Sequence, residues 1–146
     1  MVRIKHRYLV IALHGLPDSV AVSSSDVWHA LQDALVTNFG SAGGATCGES
    51  LLLKYWSPVT RHGVVRLLRD DLPTVWAAVT LITKLKGQPC AITVGHVGGT
   101  IKSCQQVLIR WDEREIGRVM RDGQLSEQQC SSMLKQLRKR VEGMSR

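Results

Sequence analysis

Runs of strand and helix character succeed one another in the order β-α-β-β-α-β, and few folds accept that order. Tyr8-Leu-Val-Ile-Ala-Leu13 is an apolar run that begins a few residues after Met1, and with its basic lead it predicts a strand over 3–13. Gly15, Pro17 and Asp18 stop it. Ser23 to Asp26 offers helix N-caps, and Val27, Trp28, Leu31, Leu35 and Phe39 recur on one helical face, with Gly40 placed to end the helix. Residues 51–57 and 63–69 read as two strands around Pro58-Val-Thr-Arg-His62. Asp70 or Asp71 can cap a second helix, Pro73 suits its first turn, and Val75, Trp76, Val79 and Ile82 mark its apolar face. Gly87 and Pro89 terminate it, and residues 90–96 read as a fourth strand. The expected fold is α+β: a split βαββαβ, ferredoxin-like or RRM-like, with a four-stranded antiparallel sheet and two helices on one face.

Two further helices are expected. Ile101, Cys104, Leu108 and Trp111 form one stripe; Cys130, Met133, Leu134, Leu137 and Val141 form another, opened by a capping box of Ser126 and Gln129. These helices can cover the free face of the sheet, which disfavours an open platform for single-stranded RNA. Trp111 and the last helix, lying beyond the minimal split unit, are also candidates for a protein interface. With 146 residues the chain suits one domain. Residues 1–99 are expected to make the core and 100–146 a helical extension of that same domain.

Carboxylates are absent before Asp18, whereas Arg3, Lys5 and Arg7 alternate along one face of the predicted strand. Three cations on one side suit a phosphate backbone; the plainer reading is a solvated strand end. The chain's net charge of +7 favours RNA, DNA or anionic lipid as partners without choosing among them. No segment approaches the roughly 20 apolar residues that cross a bilayer, so no membrane partner and an intracellular location are expected. Arg61 and His62 offer a second polar site in the hairpin turn, which Arg66 and Arg69 can extend. Gly98 and Gly99 would let a backbone approach closely, Thr100 can cap the next helix and direct its first N–H groups at phosphate, and Lys102 adds a cation. A tight turn explains the same glycines. The stretch Gly40-Ser-Ala-Gly-Gly-Ala-Thr-Cys-Gly48 reads as a flexible connection with Cys47 exposed, and it lacks the Lys and Ser/Thr of a nucleotide-binding loop.

Two motifs carry a family resemblance. Met1-Val-Arg-Ile-Lys-His-Arg-Tyr-Leu9 is one; His96-Val-Gly-Gly-Thr-Ile101, continued by Lys102-Ser-Cys-Gln-Gln-Val-Leu-Ile109, is the other. Their order and separation resemble the Pop5 family of protein subunits of ribonuclease P and RNase MRP, over residues 1–118. An acidic tail found in some relatives is absent here. The resemblance implies a noncatalytic RNA-binding subunit that supports a catalytic RNA in removing the 5′ leader of precursor tRNA. It implies a second process, pre-rRNA processing in RNase MRP. The implied partners are ribonuclease P RNA, RNase MRP RNA, an Rpp30/Rpp1-like protein and other particle subunits, and precursor tRNA within the complex. A divalent metal such as magnesium would serve the RNA, and the location would be the nucleus, chiefly the nucleolus. Under this resemblance the RNA-binding residues are Arg3, Lys5, His6, Arg7, Arg61, His62, Gly98, Gly99, Thr100 and Lys102.

An enzyme needs a nucleophile and base held together. Cys47, Cys90 or Cys104 with His96 supplies the residue types only, and Asp26, Asp33, Asp70 and Asp71 form no recognisable metal cluster. The four cysteines fit no compact zinc spacing, and Cys90, Cys104 and Cys130 read as buried or half-buried thiols. No catalytic residue and no protein-bound cofactor or metal is assigned. The alternative from a different class is a split βαββαβ domain that binds a small ligand.

Overall fold

The fold was analysed in a computed structural model that describes residues 3–48, 50–123 and 126–144. Met1 and Val2 of the opening motif, and residues 145–146 at the end of the helical extension, lie outside the described residues.

Strand β1, His6–His14, is central. It pairs antiparallel with β3, His62–Leu68, on one side and with β6, Ala91–Gly98, on the other. Strand β2, Leu52–Ser57, pairs with β3, so the sheet order is β2-β3-β1-β6. This is the split βαββαβ arrangement expected from the sequence. Strand β1 is buried on both faces because helices cover both. Leu9, Ile11 and Leu13 enter a core with Val27, Leu31 and Leu35 of helix α1 (Ser24–Gly48) and Val75 and Val79 of α2 (Leu72–Thr80). Val10 faces the opposite way, into a second core with Cys104, Val107 and Leu108 of α3 (Ile101–Arg121) and Val141 of α4 (Glu127–Gly143). Leu9, Val10 and Ile11 are fully buried, and burying each side chain of that size contributes roughly 1.5–3 kcal/mol. Helix α4 lies on α3 through Ile116, Cys130 and Leu137, and Gln105 Nε2 donates to the Val141 carbonyl at 2.9 Å.

Caps follow the sequence where small polar residues stand at helix starts. Ser126 and Gln129 form the expected capping box, and Thr100 accepts from the Ser103 N–H. At α1 the Ser23 N–H donates to Asp26 Oδ2 at 2.9 Å; this bond, then Lys86, holds the Asp26 carboxyl below its ordinary value. Asp71 does not cap α2 with its side chain. A 3-10 turn, Arg69–Asp71, leads directly into that helix, and the Asp71 carboxylate instead accepts from Ser50 Oγ at 3.2 Å.

Five local expectations are corrected. Strand β1 starts at His6, so Arg3 and Lys5 precede it. The glycine-rich stretch is helical: α1 continues through it with a kink at Gly40, whose φ of 75° is the left-handed conformation that glycine takes without steric cost. Cys47 is consequently buried in the α1/α2 core. Helix α2 ends at Thr80, well before Gly87, and a small hairpin of β4 (Lys84–Leu85) and β5 (Gln88–Pro89) fills the interval. Trp76 is not a core residue; it is 42% exposed.

Candidate nucleic-acid interface

The pairing of β1 with β6 sets Tyr8 opposite Gly98, and so brings the basic chain start beside the junction that opens α3. A Cβ placed on Gly99 would stand 3.8 Å from Arg7 Nη1, which itself donates to the His6 carbonyl at 2.9 Å. Arg3 and Lys5 are exposed, and His6 and Arg7 are half-buried. Gly99, Thr100 and Lys102 are exposed on the adjoining turn. Two stretches separated by about ninety residues in sequence thus share one end of the sheet. Among the described residues, Arg3, Lys5, Arg7 and Lys102 form no ion pair, whereas Lys86, Arg118 and Arg138 are each held by a carboxylate. Cations without internal partners keep their charge available to an external anion.

Arg69 belongs to the same end and escaped the sequence reading, which attached it to the hairpin turn. Its backbone N–H donates to the Lys5 carbonyl at 3.0 Å, so Arg69, itself exposed, stands next to Lys5. Only strand register reveals this: His6 pairs with Leu68, and the next residues out are Lys5 and Arg69.

Gly98 is buried, and its role differs from the expected one. A Cβ there would meet Ser103 Oγ at 2.5 Å and Cys104 Sγ at 3.0 Å, so the missing side chain lets β6 approach the first turn of α3. The close approach is internal. Thr100 caps that helix as anticipated, accepting from the Ser103 N–H at 3.3 Å.

Arg61 and His62 lie at the other end of β1, where Ala12 pairs with His62 and the Leu13 N–H donates to the Arg61 carbonyl. Their polar groups turn inward. The Arg61 guanidinium donates to the carbonyls of Leu16, Pro17 and Val20 at 2.7, 2.7 and 2.8 Å, tying the loop after β1 to the hairpin. His62 is buried; its Nδ1–H donates to Asp112 Oδ1 at 2.9 Å, and its ring meets the Trp111 ring edge-on at 5.1 Å. The hairpin turn therefore supplies no free guanidinium to RNA. Trp111, a candidate either for a protein interface or for covering the sheet, packs its ring against the sheet at Gly95.

Nothing here assembles a nucleophile. Cys104 Sγ and His96 Nε2 both approach Gly98, but Cys104 is fully buried and burial raises its thiol pKa, as it does for Cys47 and Cys90. A thiol kept protonated is a poor attacking group. Among the described residues no group of three or more His, Cys, Asp or Glu can hold a metal ion. No helix among them is long and apolar enough to cross a membrane.

A split βαββαβ sheet sealed on both faces, with cations that form no ion pair among the described residues gathered at one end, defines an α+β domain whose free charge lies at the end of the sheet rather than on an open sheet face. The chain belongs to the Rpp14/Pop5 family, whose profile matches residues 7–109. It is 32% identical over 127 residues to the ribonuclease P/MRP protein subunit POP5 of Schizosaccharomyces pombe, covering 80% of this chain and 91% of that one. The human subunit of the same name is 31% identical over 122 residues, covering 80% of this chain and 75% of the relative. A probable counterpart in Arabidopsis thaliana is 25% identical and spans 95% of this chain and 96% of its own length. The fold matches a chain in the cryo-EM structure of yeast ribonuclease MRP with a TM-score of 0.55 at 13% identity, over 69% of this chain and 79% of the other.

Proposed function

We propose that this chain is a noncatalytic RNA-binding subunit of ribonuclease P, that it supports the structure of the catalytic RNA during removal of the 5′ leader from precursor tRNA, and that it also serves RNase MRP in pre-rRNA processing. The observation that carries the reading is the meeting of Arg7 with Gly99, which fuses the basic chain start and the 98–102 junction into one cationic surface. Arg3, Lys5, Arg7, Arg69 and Lys102 neutralise phosphates of the catalytic RNA there, and Thr100, Gly99 and the first N–H groups of α3 sit beside them as neutral donors. Each cation bound to phosphate releases condensed counterions and lowers the repulsion that a compact RNA fold must overcome. Positioning of the RNA aids cleavage without any protein side chain entering the reaction. Divalent metal such as magnesium belongs to the RNA. An Rpp30/Rpp1-like protein completes the assembly as a direct partner, and the particle works in the nucleus, concentrated in the nucleolus.

Reconstitution tests the reading. Single-turnover cleavage of precursor tRNA is compared with and without this chain, in the presence of the matching RNA and the Rpp30/Rpp1-like protein, at matched magnesium and salt. Addition of the chain is expected to accelerate leader removal, while the RNA-free chain cleaves nothing. Cleavage by the RNA-free chain, or failure to associate with either the RNA or the protein, overturns the assignment.

A further inference from the structure

The end of the sheet opposite the cationic surface carries a cleft that the RNA-backbone reading does not use. It lies between the ends of β1 and β6 and the outer half of α3, has a volume of about 280 Å³, and is lined by His14, His62, Thr93, Trp111, Arg114 and Glu115. A second, more polar cleft of about 290 Å³ adjoins it and shares His14, His62 and Glu115. Its wall includes Thr60, whose buried hydroxyl has no hydrogen-bond partner among the described residues.

The lining is built rather than incidental. Trp111 occupies the space a side chain at position 95 would fill: a Cβ on Gly95 would stand 2.0 Å from its Cζ2, so the indole lies against the strand as a fixed wall. Asp112 fixes the orientation of His62 by taking its Nδ1–H, and Nε2 is the polar atom the ring has left for the cleft that it lines. His14 Nε2 and Thr93 Oγ1 are 3.1 Å apart across the opening. The Arg118 guanidinium holds the Glu115 carboxyl below its ordinary range, so Glu115 is an ionised acceptor at neutral pH.

We propose that this cleft binds one unpaired nucleobase of RNA. A base is flat and apolar on its faces and carries donors and acceptors on its edge, and unstacked bases are read by aromatic walls and polar side chains together. The cleft matches both requirements, with Trp111 and Ala12 as the apolar part and Thr93, His62 and Glu115 as the polar part. An aliphatic side chain from a protein would leave the remaining His62 ring nitrogen and the Glu115 carboxylate facing apolar atoms, which disfavours that occupant. Arg114 at the rim is an exposed cation suited to a phosphate flanking an extruded base, whereas Arg118 beside it is held by Glu115 and Asp122. The Glu115 carboxylate favours bases bearing an exocyclic amino group, which donates to it. The proposal shares with the proposed function only that the partner is RNA, and it concerns the opposite end of β1, on the order of 20 Å away.

The test is a titration of the full chain with the four nucleoside 5′-monophosphates and, as control, ribose 5-phosphate, followed through the His62 imidazole and Trp111 indole resonances. Guanosine, adenosine and cytidine monophosphates are expected to shift both at about 10 mM, enough to saturate a site of millimolar affinity. Glu115→Gln is expected to weaken their binding about tenfold, roughly one good hydrogen-bonded contact to a base edge. The Arg3→Gln, Lys5→Gln, Arg7→Gln triple variant is expected to leave the shifts intact, so failure here and failure of the backbone surface are read separately. Equal shifts with ribose 5-phosphate would reduce the cleft to a phosphate site and overturn the proposal. So would the absence of any shift, which would leave the cleft to a protein partner.

Discussion

Nδ1 of His62 and Oδ1 of Asp112 lie 2.9 Å apart in the interior between the sheet and the C-terminal helices, joining the first residue of β3 to the middle of α3. Fifty residues separate the two in sequence, and both side chains are withdrawn from water, at 10% and 3% exposure. The bond is the polar counterpart of the Val10–Val64–Leu108 contact in the same layer. Asp112 Oδ2 has no partner among the described residues, so the carboxylate depends on His62.

Removing His62 while keeping Asp112 leaves a buried carboxylate alone. His62→Leu is expected to lower unfolding free energy by about 3 kcal/mol, the usual scale for breaking a buried pair from one side. The double variant His62→Leu, Asp112→Leu should lose less than the single one, because no charge is left stranded. Urea denaturation measures both; a double variant as unstable as the sum of the two single ones would show that the groups do not interact.

Gly95 and Trp111 give a steric test of the same layer. Gly95→Ala places a methyl inside the Trp111 ring, and a 2.0 Å contact with an indole wedged between strand and helix has no soft end to yield. We expect a loss of about 2 kcal/mol, in the range for overpacked sites, with a change in near-ultraviolet circular dichroism as the ring is displaced. Trp111→Leu in the Gly95→Ala background should recover part of the loss, and thermal unfolding of the four proteins settles it. Additive losses would mean that the ring is not the obstacle.

These two pairs show which parts of the molecule a sequence makes legible. Strand and helix order, the capping box at Ser126, the Thr100 cap and the inward stripe of α3 are local patterns, and each is present; the α1 stripe holds through Leu35 but leaves Phe39 exposed. The glycine-rich stretch misled because glycine frequency signals a turn, whereas here only Gly40 takes a left-handed angle and the helix resumes after it. Arg61 and His62 looked like hairpin-turn polar residues because their partners, the Leu16, Pro17 and Val20 carbonyls and Asp112, are tens of residues distant. Arg69 was misplaced for the same reason. Its neighbour Lys5 is set by strand register, which periodicity within one strand does not specify.

Tyr55 provides a pH test. Burial first, and then the charge of Asp112, push its phenol from 10.0 up to about 12. A raised folded value means the neutral phenol is favoured by the fold, so its stabilisation is complete below pH 10 and is lost as pH rises from 10 toward 12. Spectrophotometric titration near 295 nm should show one tyrosine ionising late, and Tyr55→Phe should remove that step and flatten stability across the same interval. A Tyr55→Phe variant whose stability falls as steeply as the parent between those pH values would count against a buried phenol.

The cationic end of the sheet makes the sharpest functional prediction, because it concerns charges that form no ion pair among the described residues. Replacing Arg3, Lys5 and Arg7 together with Gln keeps polar stems and removes three charges. Arg3 and Lys5 are exposed ahead of β1, and Arg7 makes a single internal bond to the His6 carbonyl, so the fold should persist with an unchanged urea midpoint. If the three meet phosphates, the slope of log affinity against log salt for the catalytic RNA should fall in magnitude by roughly 2 to 3. Lys102→Gln on its own should lower it by about 1, since a single phosphate contact is lost. Adding Lys102→Gln to the triple variant should lower it by a similar further step, because the β1–β6 register places Lys102 on the same surface at a different phosphate. The measurement is filter or gel-shift binding over a salt series in the presence of the Rpp30/Rpp1-like protein. Unchanged slopes in all three variants would remove the RNA backbone from this end of the sheet, and a change with Lys102→Gln but none with the triple variant would confine it to the α3 junction.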